Sequence, residues 1–490
     1  MSECKHSQNI YFAAFALYKL QSPPLIISLL FVSVAVWGTT LYISQNLGID
    51  INPFSILEAN AVKHKTSHTS HSHFITLITS NTSSSPSLPR LDTALSGKCI
   101  NYNPTVRTIT VSCNDPTILT DIDNTLHDNT ILAKQSPDGI WFLRANLVIS
   151  KGAIFHIDST DTKWLKISSE QAASSSSSIN AANVIPYHID VHGTLKIDSV
   201  KITSWNPTTN NYAITNGSRE AVPAGTKGAT FNGYIIHLGA PRPFIKVEHD
   251  ATGTTNITNS EIAYLGYESG STSNVGSGGL NYYGGNGSII SGNSIHDLYF
   301  GFYSSGVSNM VIQYNTVYKN ANYGLDPHTG THDMVMRYNV VHDNGAQGII
   351  CSLNCYNVLI ENNRLYHNSK AGIMFSRNMS NSVARNNIIS NEVDGILLSQ
   401  SNNNKIYNNT ISNSQYGINL IFGSSGNTFY SNIIKNSSKY GIYSQISQGS
   451  NNNTFYNNQL INSPSNIVSR LHGKPSSDFK NNLAPTNILS

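Results

Sequence analysis

The feature that most constrains the fold is a repeat of 22 to 26 residues in the second half of the chain. Each repeat contains an asparagine followed by two residues that are mostly apolar or β-branched. These asparagines are Asn293, Asn315, Asn339, Asn363, Asn387, Asn409, Asn432 and Asn458. Such a period, with polar turns between apolar pairs, is typical of one coil of a parallel β-solenoid. The leucine-rich repeat has a similar length, but its leucine signature is absent, and no segment keeps the periodicity of helical solenoids.

A second column, a glycine followed by a hydrophobic residue, keeps step with the first. Its members are Gly301, Gly324, Gly348, Gly372, Gly395, Gly417 and Gly441. We expect the asparagines to occupy turns with left-handed backbone geometry and to form a ladder of amide hydrogen bonds. The glycines should mark a second tight corner. The repeat therefore predicts an all-β fold, a right-handed parallel β-helix with coils of about 23 residues.

Composition divides the chain into five expected regions. Residues 1–49 should form a cytoplasmic tail and a transmembrane helix, and residues 50–95, rich in Ser, Thr and His, should form a linker. Residues 96–250 should form an N-terminal cap and the first irregular coils. Residues 251–465 should form the regular β-helix that carries the site, and residues 466–490 a C-terminal tail or cap. Two long polar loops, 206–234 and 265–288, should form the walls of a groove.

The N-terminal apolar segment predicts a membrane anchor. No residue between Leu20 and Ile49 is charged, and such a stretch exceeds the roughly 20 residues that span a bilayer. Lys5 and Lys19 precede it, which places the N-terminus in the cytoplasm. The alternative is a cleaved signal peptide, with a cleavage site near Ala61. Either interpretation exports the rest of the chain, so we expect a membrane-anchored protein with its bulk outside the cytoplasm.

Charge and cysteine content limit the expected binding partners, disulfides and metal sites. Charged residues make up 12% of the chain and the formal net charge is +3, so nucleic-acid binding is not expected. Cys99 and Cys113 are the expected disulfide pair, and Cys351 should be buried. The linker histidines His64, His68, His71 and His73 lack a cysteine or carboxylate beside them, so a solvated tether is favoured over a metal site. No cofactor is predicted, calcium is left open because no Asp-rich loop is evident, and we expect a monomer.

One strand of the repeat carries residue types that suit proton transfer. Within Tyr323-Gly324-Leu325-Asp326-Pro327-His328, the alternation of strand side chains turns Asp326 and His328 outward if Leu325 points inward. Histidine is the side chain whose ordinary pKa lies nearest neutrality, so His328 suits a general base. Because adjacent coils are about 4.8 Å apart, one exposed patch should hold four side chains and lie two coils from Arg377. The four are Tyr303, Asp326, His328 and Ser352.

This hexapeptide, together with His342-Asp343-Asn344-Gly345 and Gly348-Ile349-Ile350, resembles the mannuronan (alginate) C5-epimerases. Similar coils occur in other carbohydrate-active β-helices and in copper-maturation β-helix proteins. The resemblance implies a right-handed parallel β-helix that removes the C5 proton of a uronate and returns a proton to the opposite face. It implies that His328 is the base and that Tyr323, or water, is the proton partner. Asp326 would orient His328 or bind the substrate.

The chain departs from that family at the position of the cation. Where periplasmic members carry an arginine in the next coil this chain has Leu353, and where secreted members carry an aspartate it has Ser352. The candidates to meet the substrate carboxylate are therefore Lys370 and Arg377. Further candidate substrate-binding residues are Ser352, Tyr303, and the inserted pair His332 and Asp333.

Three functions stay open on the sequence. The first is a C5-epimerase acting on a uronate-containing polymer. The second is a polysaccharide lyase, which shares the proton abstraction and then eliminates the C4 substituent. The third is a non-catalytic glycan-binding protein of the cell envelope. An anionic polysaccharide is the expected partner in each case.

Overall fold

The structure is a computed structural model that describes residues 99–170, 186–215, 218–221, 234–237, 240–269, 278–444, 449–450, 452–463, 467–468 and 478–480. The predicted transmembrane helix, the linker and much of the 206–234 loop lie outside these residues. Within the described part of the chain, no helix has the length and apolar character needed to cross a membrane.

Three long sheets make up the fold, and each coil passes through them in the order sheet 1, sheet 2, sheet 3. Sheet 1 has 14 strands: Ile100–Asn103, Thr108–Val111, Asn146–Ile149, His188–Val191, Phe244–Val247, Gly279–Tyr282, Phe300–Ser305, Leu325–His328, Ile349–Ser352, Ala371–Ser376, Asp394–Ser399, Tyr416–Ile421, Tyr440–Ser444 and Ile467–Val468. Sheet 2 has 12 strands: Ile154–Asp158, Thr194–Asp198, Thr255–Thr258, Ile289–Ser291, Val311–Gln313, Val335–Arg337, Leu359–Glu361, Val383–Arg385, Lys405–Tyr407, Thr428–Tyr430, Thr454–Tyr456 and Asp478–Lys480. Sheet 3 has 13 strands: Leu132–Gln135, Ile140–Leu143, Trp164–Ser168, Lys201–Trp205, Glu261–Ala263, Ser294–His296, Thr316–Tyr318, Val340–His342, Arg364–Tyr366, Ile388–Ser390, Thr410–Ser412, Ile433–Lys435 and Gln459–Ile461.

Strand pairing confirms the parallel β-helix. Every pair that joins successive coils is parallel, and antiparallel pairing among the described strands is confined to the first strands of sheets 1 and 3 and to the hairpin Ser218–Ala221 with Tyr234–His237. The parallel ladders pass through the expected boundary at residue 250 without a break, since Lys201–Trp205 pairs with Glu261–Ala263. The architecture is consistent with a right-handed coil, the hand that parallel crossover connections overwhelmingly adopt.

Alternation along each strand builds the core. Leu325, Ile349, Ile373 and Ile418 point inward and are fully buried, as the repeat predicts. They belong to one hydrophobic cluster that runs from the first coils to the last. Cys351 lies in this cluster as well, so the prediction of a buried cysteine is confirmed.

The asparagine column forms the expected ladder. Asn363, for example, donates from Nδ2 to Oδ1 of Asn387 at 3.0 Å and accepts from the backbone N–H of Asn339 at 2.9 Å. The expected left-handed geometry, however, falls on the residue before each ladder asparagine, such as Tyr338 (φ 55°) and Asn362 (φ 55°). The preceding residue turns the chain, and the asparagine then points inward to bind the backbone of the corner.

The glycine column serves a different purpose from the one predicted. None of its members has a positive φ, and most lie inside or directly before strands of sheet 1. A Cβ on Gly324 would stand 2.5 Å from the carbonyl oxygen of Gly348 and 2.8 Å from Cγ1 of Val341. Glycine is therefore required by the close approach of successive coils, not by a tight corner.

A short cap precedes the regular coils. The antiparallel pair Ile100–Asn103 and Thr108–Val111 is closed by the Cys99–Cys113 disulfide, which confirms the predicted pairing. A single helix, α1 (Leu119–Leu126), follows and buries Leu119 and Ile122 in the core.

Candidate functional site

The strand Leu325–His328 places the candidate residues where the register predicts. Tyr303 pairs with Asp326 on one side, and His328 pairs with Ser352 on the other. The expectation of an exposed patch was wrong, because Asp326 is 2% exposed, Tyr303 is 6% exposed and Ser352 is buried. Outward side chains one coil apart cover one another, and Arg377 lies over Ser352.

His328 is held in one tautomer by two hydrogen bonds. Its Nε2 lies 2.8 Å from Nη2 of Arg377, and its Nδ1 lies 2.6 Å from Oγ1 of Thr329. A guanidinium group can only donate, so Nε2 must accept with its lone pair and Nδ1 carries the proton. Burial, and then the charge of Arg377, lower the pKa of His328 to about 4. The imidazole is therefore neutral at physiological pH.

Arg377 reaches His328 from two coils away. It occupies a turn position with φ 48°, in the same column as Leu353 (φ 66°), the position at which the resembled family carries an arginine. From there its side chain extends back over Ser352, to whose Oγ it donates from Nε at 2.9 Å and from Nη2 at 2.6 Å. The resembled family carries its arginine in the coil that follows the histidine. Here Arg377, one coil further along, brings a positive charge to His328.

Asp326 is a buried acid in the floor of the site. Burial raises the pKa of its carboxyl group well above the ordinary value, and the charge of Arg377 opposes that shift only in part. Its Oδ1 has no hydrogen-bond partner, and no hydrogen bond joins Asp326 to His328 among the described residues. The hydrogen bond that orients His328 comes instead from Thr329.

Tyr303 packs against His328 from the preceding coil. The two rings lie 5.6 Å apart and are tilted by 32°. The Tyr303 hydroxyl hydrogen-bonds with the side chains of Ser305 and Thr329, while burial, followed by the nearby Asp326, raises the pKa of Tyr303. A hydrogen-bonded row therefore runs from Tyr303 through Thr329 to the Nδ1 edge of His328.

Tyr323 and Lys370 lie at the opposite end of the sheet 1 strands. Tyr323 stands two residues before Leu325–His328, and its ring stacks on Phe300 at 5.5 Å. Lys370 is exposed and directly precedes Ala371–Ser376, whereas Arg377 directly follows that strand. The structure thus brings Arg377 to His328 and leaves Lys370 on the Tyr323 side.

The inserted pair His332 and Asp333 lies in a different ladder. His332 pairs with Ser308 and Tyr356, and its ring stacks on Tyr356 at 4.6 Å. Its Nδ1 is 2.7 Å from Asp333, whose other oxygen accepts from Asn357. This pair is not joined to the Arg377–His328 contact, so the structure separates it from the other candidates.

The described parts of the two long loops pack in different places. In the described part of 206–234, Tyr212 stacks on Tyr264 at 4.3 Å, beside the tryptophans of sheet 3. In 265–288, Glu268 accepts a hydrogen bond from Tyr299, and Tyr283 packs 6.0 Å from Tyr303. Among the described residues of the two loops, those of the second border the His328 face, through the aromatic cluster Tyr299, Phe300 and Tyr303.

Sequence reasoning missed Thr329 and Tyr283. Thr329 follows His328 directly, and a hydroxyl beside a histidine could have been proposed as its Nδ1 partner. Tyr283 belongs to an irregular coil outside the Asn and Gly columns, so the repeat gave no register by which to place it.

Comparison with known structures supports the fold. The periplasmic alginate epimerase AlgG matches with a TM-score of 0.60 at 21% identity, over 76% of this chain and 84% of that one. The A-module of the Azotobacter vinelandii mannuronan C-5 epimerase AlgE4 matches with a TM-score of 0.46 at 16% identity, over 70% and 89% of the two chains. No curated protein matches the chain. At 21% identity, the likeness to AlgG shows a shared fold.

The family comparison covers the regular coils. The model of the family described as "Periplasmic copper-binding protein (NosD)" matches residues 245–437 and 331–489. Together these matches span 245 of the 490 residues, half of the chain. The chain therefore belongs to the NosD family of parallel β-helix proteins.

Proposed function

We propose that the protein is a C5-epimerase acting on a uronate-containing polysaccharide outside the cytoplasm. The observation that carries the proposal is the contact between Arg377 and the unprotonated Nε2 of a neutral histidine, His328. A base and a cation in contact are what is needed to remove a proton from the carbon beside a carboxylate. The fold that the chain shares with the periplasmic alginate epimerase AlgG supports the same reaction.

The first step would be proton abstraction by His328. A uronate carboxylate is a better acceptor than a neutral imidazole, so the incoming substrate should draw the Arg377 donors onto itself. The lone pair of Nε2 is then free to take the C5 proton, while Nδ1–H remains bonded to Thr329. Electrons of the C–H bond move onto the carboxylate, where Arg377 stabilises the developing charge.

The buried Asp326 would keep this charge balance favourable. An ionised aspartate below the substrate would repel both the carboxylate and the intermediate. Burial raises the Asp326 pKa well above its ordinary value, which lessens the tendency of this carboxyl group to carry a charge that opposes the substrate. Asp326 would thereby repel the substrate carboxylate less than an ordinary aspartate.

The returning proton would come from the opposite end of the strand. Tyr323 and His328 are five positions apart, so their backbones are separated by roughly 16 Å in an extended strand. A sugar ring bound across the strand would lie between these two ends. Tyr323 could then protonate C5 on the face away from His328, and solvent would restore both groups.

The copper in the family description finds no matching donor set in the described residues. Nowhere in the part of the chain that the structure covers do three or more His, Cys, Asp or Glu side chains converge as a metal site. The buried thiols Cys351 and Cys355 interact, but burial raises the pKa of Cys351 well above its ordinary value, whereas metal ligation requires a thiolate. The linker histidines 64–73 lie outside the described residues.

The proposed location outside the cytoplasm rests on the disulfide. A Cys99–Cys113 bridge is typical of proteins that mature in oxidising compartments. It agrees with export by the N-terminal apolar segment, whose anchoring role is part of the same proposal.

Hydrogen exchange at C5 tests the reaction. The protein, incubated with a polyuronate in heavy water, should introduce deuterium at C5 and change the uronate configuration without shortening the chain. His328→Gln should abolish the exchange, and His367→Gln, an exposed histidine of a different corner, should not. New chain ends that absorb in the ultraviolet would identify a lyase instead, and binding without exchange by the wild type would identify a glycan-binding protein.

A further inference from the structure

Sheet 2 carries an apolar stripe on its outer surface. In five consecutive coils the first residue of the sheet 2 strand is apolar, points outward and is at least partly exposed. These residues, which pair in register from coil to coil, are Ile289, Val311, Val335, Leu359 and Val383. The next two coils have Lys405 and Thr428 at the same position, so the stripe ends there.

Exposed rings border the stripe on both sides. Tyr314 and Tyr338 stack at 5.1 Å in the turns that follow two sheet 2 strands, and Tyr356 lies shortly before a third. With Ile289, they are four of the nine large hydrophobic side chains that are exposed in the described part of the chain. Hydrophobic side chains clustered in this way on a surface are typical of a protein interface.

The strand at the centre of the stripe has opposite charges at its two edges. Asp333 and Arg337 stand two residues before and two residues after Val335. The Asp333 side chain is 43% exposed. Arg337 is partly exposed and donates from Nε to an uncharged acceptor, Oε1 of Gln313, at 2.9 Å. Both charges can therefore meet a partner that lies on the stripe.

We propose that sheet 2 forms an interface with a second copy of this chain, in place of the monomer expected from the sequence. A two-fold axis that passes over Val335, parallel to the β-helix axis, sets each residue of the stripe against its own counterpart. The same rotation exchanges the two edges of the sheet, so Asp333 of each copy faces Arg337 of the other. An apolar centre flanked by charged pairs is the usual composition of such an interface.

The charges distinguish this arrangement from the other two-fold packing of the same faces. An axis along the strand direction would set Arg337 against Arg337 and Asp333 against Asp333, and like charges in contact oppose association. The inference is independent of the proposed function, because His328 belongs to sheet 1. It gives the inserted Asp333 a role that the proton transfer does not supply.

Sedimentation of the full chain, in detergent micelles because of its N-terminal apolar segment, tests the contact. The wild type should form a dimer. Val335→Lys places a charge at the centre of the stripe and should raise the dimer dissociation constant roughly tenfold or more. Thr316→Lys, at the first position of a sheet 3 strand and equally half-buried, is the control and should leave the constant unchanged.

Charge reversal tests the two-fold arrangement. Arg337→Asp and Asp333→Lys each set like charges against one another, so each should raise the dissociation constant roughly tenfold or more. Lysine suits the second position, since Lys319 has φ 52° and Asp333 has φ 51°. An equimolar mixture of the two variants should associate as the wild type does, because every facing pair in the mixed dimer has opposite charges. Misfolding of either variant could not produce this rescue.

Three results would overturn the inference. The first is a monomeric wild type, whether the stripe is bare or covered by another segment of the chain. The second is a dimer that Val335→Lys does not weaken, because the contact would then lie on another surface. The third is a mixture of Arg337→Asp and Asp333→Lys that associates no better than either variant alone.

Discussion

At the scale of single residues, the site is defined by how burial shifts the pKa values of its side chains. Burial and then the charge of Arg377 lower the pKa of His328 to about 4, and burial raises the pKa of Asp326 well above its ordinary value. Neither shift could be inferred from spacing, since both residues were expected on an exposed patch. What spacing did supply was the register, which places Tyr303, Asp326, His328 and Ser352 in adjacent coils.

The pKa of His328 predicts the acid limb of the pH–rate profile. If neutral His328 is the base, kcat/KM should stay constant from pH 8 down to about 5 and fall only near pH 4, since burial and Arg377 lower its pKa to about 4. Arg377→Gln should shift this limb upward toward the ordinary histidine value, because the opposing charge is gone, and should also weaken turnover. A wild-type limb at the ordinary histidine value, unmoved by Arg377→Gln, would contradict the assignment of His328.

Glu392 gives a second titration with the opposite sign. It occupies an asparagine position in a ladder, where it accepts from Nδ2 of Asn368 at 2.8 Å, and burial raises its pKa to about 9. The unfolded chain releases this proton near pH 4.5, so the folded state loses stability as pH rises from about 4.5 to 9. Glu392→Gln should flatten this dependence and raise the free energy of unfolding at pH 8 by a few kcal/mol. Urea midpoints at pH 5 and pH 8 measure it, and equal gains at both pH values would exclude titration of Glu392 as the cause.

At the scale of elements, the corner ladders fix the coils. Each ladder asparagine bonds to its neighbours above and below and also to a backbone carbonyl, as Asn363 does to Met336 at 3.0 Å. The column was readable from the sequence because every coil needs the same amide at the same place. The left-handed residue before it was not, since its identity varies among Gly, Tyr, Asn and Ser.

Substitution of one ladder residue tests this account. Asn363→Ala breaks the hydrogen bonds to Asn339, Asn387 and the Met336 carbonyl, and leaves buried backbone groups without partners. It should lower the free energy of unfolding by about 2–4 kcal/mol. Asn124→Ala, at an exposed position of α1, is the control and should cost nothing, because alanine is the better helix former. Chemical denaturation of both variants measures the difference, and equal stabilities would refute a structural role for the ladder.

The glycine column was visible in the sequence, but the physical reason for glycine at these positions was not. A periodic glycine indicates that no side chain is tolerated, but not whether the backbone or a neighbour forbids it. Here the neighbouring coil forbids it, as the short distance from a Gly324 Cβ to the Gly348 carbonyl oxygen shows. Likewise, Arg377 could be recognised as a candidate two coils from His328, but only its rotamer shows that it spans Ser352 to reach Nε2.

At the scale of the whole molecule, a loss of stability at one end of the β-helix should not affect activity at a distant coil. In a solenoid each coil contacts only its neighbours, so a local change is felt mainly in adjacent coils. The cap of strands Ile100–Asn103 and Thr108–Val111 lies at one end of sheet 1, and Leu325–His328 is six strands beyond Thr108–Val111 in the sheet order. Events at the cap should therefore leave the geometry of the site intact.

Removal of the Cys99–Cys113 disulfide is the corresponding test. The bridge closes a loop between residues 14 apart in sequence, and its loss should cost roughly 3 kcal/mol through the entropy of the unfolded cap. In the double variant Cys99→Ala, Cys113→Ala, amide hydrogen exchange should accelerate in Ile100–Asn103 and Thr108–Val111. The amides of Leu325–His328 should stay protected, because they pair only with the coils on either side. C5 exchange activity should match that of the wild type. Loss of protection through Leu325–His328 together with the cap would show instead that the β-helix unfolds as one cooperative unit.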